Sequence, residues 1–131
     1  MLISEIHFLE DFLDLEKIRR DPFACNVCSI GDLDSVLVPP LLFITFVENA
    51  VKHNLGAEKP SFVHLQFNVQ NDELQFKCIN SKPQMAVVKN DNGGLGLANV
   101  TRRLNLLYPS RHRLDIGNGT KTFFVTLTIK L

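Results

Sequence analysis

The chain has 131 residues, of which 45% are hydrophobic and 21% charged, and its 14 Lys and Arg are balanced by 14 Asp and Glu. That composition describes one globular domain and supplies no whole-molecule field to hold nucleic acid or an anionic membrane surface, so no nucleic-acid partner is expected. The longest apolar stretch, Val36 to Val47, is interrupted by Pro39 and Pro40 and falls well short of the roughly 20 residues that span a bilayer. Glu5 interrupts the N-terminus before a secretory h-region can form, which places these residues in the cytoplasm.

The first predicted element is an amphipathic helix opening at Ser4 as its N-cap, with Ile6, Leu9, Phe12, Leu13 and Ile18 at helical spacing. It is expected to stop at Asp21, because the residue before Pro22 is pushed out of the helical region. A short strand follows from about Cys25 to Ile30. Cys25, Cys28 and Cys78 are an odd number of thiols. The C-x-x-C pair lies in an alternating segment with no second ligand pair at metal spacing, so it reads as strand rather than as zinc or redox centre. Gly31 to Ser35 is turn-like, and Pro39 and Pro40 are placed to open a second helix running through Asn54 and ending near Gly56.

From Ser61 the period becomes two. Val63, Leu65, Phe67 and Val69 share one face, and the return strand after Asn71 and Asp72 sets Leu74, Phe76 and Cys78 against Gln75, Lys77 and Ile79. Lys82 to Asn92 carries no pattern and reads as a mobile loop. A third helix from near Leu95 places Leu97, Val100, Leu104 and Leu107 on one side before Pro109, and two final strands, about Arg113 to Ile116 and Thr122 to Leu131, flank Gly117 to Gly119. The order helix, strand, helix, hairpin, helix, hairpin predicts an α/β (α+β) two-layer sandwich, with helices on one face of a mixed, mostly antiparallel sheet.

Three places carry chemistry. On the second helix Thr45, Glu48, Asn49, Lys52 and His53 form one stripe and Phe43, Phe46, Val47, Ala50 and Val51 the opposite one. Such a stripe is ordinarily a solvated face. Its mixture of carboxylate, carboxamide and amine at successive turns also suits a hydrated divalent cation and the phosphates it bridges. In NDNGGLGLANV, Gly93, Gly94 and Gly96 stand where a loop enters a helix, freeing backbone N–H groups for an anion at the positive end of the helix dipole. A tight turn would look the same. It is neither a Walker loop nor a dinucleotide fingerprint. Asn80 falls by strand parity on the helix-covered face, where a buried amide needs a partner, either local backbone or a ligand's amino group.

These places occur in the order and spacing of the ATP-binding domain of sensor histidine kinases, DNA gyrase, MutL and heat-shock chaperones. VPPLLFITFVENAVKHN resembles the N-box of the LytS-like (YehU-like) sensor histidine kinases, GGLGLANVTRRLNLLYP their glycine box and following helix, and EIHFLEDFLDLEKIRR the helix before the ATP domain. The resemblance covers nearly the whole chain. It implies a Bergerat-type ATP-binding fold, with residues 1–21 from the region preceding the ATP domain and 22–131 as the catalytic domain. It further implies ATP and Mg²⁺ as cofactors, Asn49 as the metal ligand, and Glu48 beside it as a catalytic or metal-shell group. Lys52 and His53 would face the phosphates. Gly94, Leu95, Gly96 and Leu97 would form the glycine box with Asn99 nearby, and Lys82 to Asn92 would be a lid.

The departures are specific. Asn80, Ser81 and Lys82 stand where most relatives have D-x-G, so the adenine amino group would meet a neutral acceptor, with weaker binding expected. Ile44 and Thr45 replace the Gln and Pro usual in the narrower family. His7, His53, His64 and His112 all lie outside a phosphoacceptor motif of the N-P-H-F-L-F-N kind. The resemblance therefore implies the cytoplasmic, C-terminal piece of a longer, homodimeric inner-membrane sensor, acting on a histidine helix of the same or partner protomer and serving a response regulator. The competing readings are a non-catalytic module of the same fold, used for dimerisation or regulator docking, and an ATP hydrolase in which Glu48 activates water.

Overall fold

The structure, a computed structural model, describes residues 1–19, 24–54, 61–82 and 94–131. Its elements are α1 (Leu2–Arg19), β1 (Ala24–Ile30), α2 (Ile44–Asn54), β2 (Phe62–Gln70), β3 (Glu73–Ser81), α3 (Gly94–Leu107), β4 (His112–Asn118) and β5 (Thr122–Lys130). They form one five-stranded sheet in the order β1-β2-β3-β5-β4. Only the β1–β2 pair is parallel. A parallel pair needs a long crossover, and the chain between these strands supplies it with α2. The β2–β3 connection is a two-residue turn in which Asn71 and Asp72 both take positive φ, 51° and 60°, the backbone that matches the twist of a hairpin. The predicted two-layer, mixed sheet with helices on one face is the fold observed.

Alternation decides which face is covered. Val63, Leu65 and Phe67 of β2, Leu74, Phe76 and Cys78 of β3, and Val125, Leu127 and Ile129 of β5 are buried under Leu2, Ile6, Leu9 and Leu13 of α1, Phe46, Val47, Ala50 and Val51 of α2, and Leu97, Val100 and Leu104 of α3. Each Val, Leu, Ile or Phe among them contributes roughly 1.5–3 kcal/mol by leaving water. Four phenylalanines knit α2 to the sheet. Phe43 meets Phe67 edge-on at 5.3 Å between ring centroids and Phe76 at 4.9 Å, and Phe46 reaches Phe76 at 5.9 Å.

Several boundaries differ from the sequence reading. The second helix opens at Ile44 rather than at the prolines, because Leu41 takes φ +59° and is tied down from two other helices. Its N–H donates to Glu5 Oε1 at 3.1 Å, while Arg103 donates to Pro40 O at 2.8 Å and Leu41 O at 3.3 Å. The carbonyl of Phe43 then accepts from Phe46 and Val47 N–H to start the helix. Ser4 is not the N-cap of α1: Leu2 N–H donates to Val36 O and the Met1 carbonyl accepts from Ser4 and Glu5. Ile18 is 79% exposed and Leu107 42% exposed, both at helix ends beyond the reach of the sheet, and Leu131 lies past the end of β5 and is exposed. The expected stop at Asp21, the helix end near Gly56, and most of the loop from Lys82 to Asn92 fall outside the described residues. Cys25 and Cys28 lie on β1, half-buried and exposed respectively, and no disulfide joins them. Among the described residues no helix is long and apolar enough to cross a membrane.

Candidate functional site

The polar stripe of α2 points away from the core, as its periodicity requires. Glu48 and Lys52 are exposed, and Thr45, Asn49 and His53 half-buried. Asn49 differs from its neighbours, since its Oδ1 is buried and has no hydrogen-bond partner. An orphaned acceptor of this kind costs about 1–3 kcal/mol and calls for an occupant.

The glycine segment enters α3 beside the first turn of α2. A Cβ built on Gly96 would lie 3.4 Å from the Thr45 methyl, at van der Waals contact, which places this turn of α3 directly against α2. Gly94 and Leu95 are the first two residues of α3, where N–H groups lack intrahelical acceptors. Leu97 is buried and anchors this turn in the core, whereas Asn99 is exposed. Gly93 and Asn90 to Asn92 lie outside the described residues.

The end of β3 closes the far side of α2. Asn80 is fully buried on the helix-covered face, paired in register with Val63 and Phe123. The Phe123 ring stacks on His53 at 4.3 Å and 13°, so the last turn of α2 rests beside Asn80. The Asn80 Nδ2 donates to Ser81 O at 2.8 Å, leaving its Oδ1 buried and unpartnered. Asn54, 1% exposed, directs the two hydrogens of Nδ2 at three acceptors, one of them shared: Ser81 Oγ at 2.7 Å, Ser81 O at 2.9 Å and Phe62 O at 3.2 Å. The Ser81 hydroxyl also accepts from Phe62 N–H at 3.0 Å. Sequence reasoning passed over Asn54, although a signal was there: it continues the stripe of Phe43, Val47, Ala50 and Val51, where a polar side chain must be satisfied internally. Phe123 and Ser81 carried no comparable signal.

Thus Thr45 in the first turn of α2 meets Gly96 at the start of α3, Asn49 stands at mid-helix, and His53, Asn54, Asn80, Ser81 and Phe123 gather at the C-terminal end of α2. A third orphaned acceptor, Asn68 Oδ1, is on the opposite face of the sheet. Two surface clefts lie elsewhere, one of about 280 Å³ between α1 and β1 and one of about 520 Å³ beside the β2–β3 turn. Among the described residues no group of three or more His, Cys, Asp or Glu gathers to hold a metal. A magnesium ion held by one protein oxygen, waters and phosphates needs no such group, and the Asn49 carbonyl fits that role.

Solved structures of similar shape include the catalytic domain of histidine kinase ThkA, 13% identical, covering 98% of this chain and 91% of that one with a TM-score of 0.66. The histidine kinase domain of the blue-light activated kinase EL346 from Erythrobacter litoralis is 20% identical, with 96% and 64% coverage and a TM-score of 0.67. The fold is that of histidine-kinase catalytic domains. Full-length ShkA in complex with AMPPNP is also similar, at 15% identity, with 97% and 29% coverage and a TM-score of 0.65. In sequence the chain is similar to the sensor protein LytS of Bacillus anthracis, 23% identical over 95% of this chain, and to that of Staphylococcus haemolyticus, 27% identical over 97%. It spans about a quarter of the length of these curated relatives. No protein-family model matches it.

Proposed function

We propose that this chain is the nucleotide-binding catalytic domain of a sensor histidine kinase, holding Mg–ATP and presenting the γ-phosphate to a histidine on another segment or protomer. The observation that carries this reading is the pair of buried, unpartnered carboxamide oxygens, Asn49 Oδ1 on α2 and Asn80 Oδ1 at the end of β3. The first suits a hard cation and the second a ligand's exocyclic amine. When bound, magnesium neutralises charge on the phosphate oxygens and so assists phosphoryl transfer. The chain's own part is positioning: Asn49 holds the metal, with Glu48 beside it, Lys52 faces the phosphates, Gly94, Leu95, Gly96 and Leu97 offer backbone N–H groups, with Asn99 one turn on, and His53, stacked on Phe123 beside Asn80, flanks the amine end rather than the phosphates. The division into a preceding helix, 1–21, and an ATP-binding unit, 22–131, belongs to the same proposal, although α1 shares the common core. So do a response-regulator partner, a homodimeric parent and its place in the inner membrane.

The experiment is a titration of fluorescent ATP with and without Mg²⁺ on wild type and Asn49→Ala. Magnesium should tighten binding to the wild type and leave the variant unchanged; equal magnesium dependence in both removes Asn49 from the metal site. The neutral Asn80 and the use of Ser81 in a structural network favour a second reading, a non-catalytic module of this fold. A ligand at 100 times its Kd stabilises the native state by about 2.7 kcal/mol, so failure of millimolar ATP to raise Tm selects that module.

A further inference from the structure

The end of β3 holds an amide whose two ends are chemically distinct and whose orientation is dictated by its neighbours. A backbone carbonyl can only accept, so the Ser81 oxygen 2.8 Å from the Asn80 carboxamide requires the nitrogen end there and turns Oδ1 the other way. The same carbonyl accepts a second bond from Asn54 Nδ2, which fills both its lone pairs. Asn54 also grips the Ser81 hydroxyl, and that hydroxyl accepts from Phe62 N–H on the neighbouring strand. The Ser81 peptide is therefore pinned by α2 on one side and β2 on the other.

We propose that Asn54 and Ser81 are positioning residues that lock the Asn80 carboxamide with its oxygen toward the ligand. The site thereby selects a purine nucleotide with an exocyclic amine at position 6 over one with an oxo group. This rests on the nucleotide-binding reading above and deepens it. An unlocked asparagine can flip and offer Nδ2 to an oxo group, so a free amide would discriminate poorly. The lock replaces with geometry the selectivity that a carboxylate has by charge. It also makes asparagine specifically required, because a carboxylate at this position would set an acceptor against the Ser81 carbonyl.

The test measures Kd for ATP and inosine 5′-triphosphate, which differ at position 6, on the 131-residue chain by calorimetric titration, with a thermal melt establishing that each variant is folded. Wild type should prefer ATP by about tenfold or more, the scale of one satisfied against one clashing hydrogen bond. Asn54→Ala should bring that preference close to parity, and the milder Ser81→Ala should lower it by about threefold. A merely structural role would weaken both nucleotides equally and keep the ratio. Asn80→Asp should bind ATP more weakly than wild type at pH 8, with binding recovered as the carboxyl is protonated toward pH 5.

An unchanged ratio in folded Asn54→Ala and Ser81→Ala overturns the inference, as does tighter ATP binding by Asn80→Asp at neutral pH. Equal affinity of wild type for the two nucleotides overturns it while leaving the nucleotide reading intact. Binding of neither overturns both.

Discussion

Replacement of Phe43 by alanine should separate the forces that set α2 on the sheet from the chemistry that α2 carries. Phe43 is 0% exposed and packs on Phe67 and Phe76, while its carbonyl accepts the first two N–H bonds of the helix. The substitution keeps that backbone cap and removes the ring, for which burial and cavity terms together cost about 3–5 kcal/mol. An unfolding entropy of about 2.1 cal/mol/K per residue, taken over 131 residues, converts this to a fall in Tm of about 11–18 °C. Differential scanning calorimetry with urea unfolding at 25 °C reads it. Phe43→Leu, which keeps most of the volume, should lose less than half as much. A loss under about 4 °C for Phe43→Ala, with unfolding still cooperative, would mean that the four-ring cluster does not anchor α2 as described.

Burial pushes the Cys78 thiol up from 9.0 to about 12, so the unfolded state ionises first. Stability should be intact below pH 9 and fall above it by about 1.4 kcal/mol per pH unit, a slope that Cys78→Ala removes from urea midpoints measured between pH 8 and 10.5. Gly31 has φ +102° and a Cβ there would lie 2.1 Å from the Val69 carbonyl oxygen, so Gly31→Ala should cost at least about 2 kcal/mol; a melt within 2 °C of wild type would contradict it. Arg103→Ala frees the carbonyls of Pro40 and Leu41 and should cost about 1–2 kcal/mol in urea denaturation, with an unchanged midpoint counting against the clamp.

The alternation of Val63 to Val69 and of Leu74 to Cys78 was enough to place the hairpin, its covered face and Asn80 on that face. The 3.6-residue spacing of Phe43 to Val51 was enough to separate the polar stripe of α2 from its core side. These features are local, because periodicity reports which face of an element avoids water wherever that element later packs. The same logic misplaced the start of α2. Pro39 and Pro40 are good helix openers by propensity, but a carboxylate from α1 and a guanidinium from α3 hold Leu41 in a left-handed turn. Neither residue is near it in sequence.

The sequence by itself determined the elements, their order, the layer they form and the residue types available to the proposed nucleotide site. Only the tertiary structure decided that Asn54 reaches across to Ser81, that Phe123 backs His53, and that of all the amides on these elements Asn49 and Asn80 keep buried oxygens free on the helix side of the sheet. Whether a polar atom is satisfied or a ring is stacked depends on partners 27 or 70 residues away, as for Asn54 with Ser81 and His53 with Phe123. Such partners meet through strand register and helix packing, which no local pattern encodes.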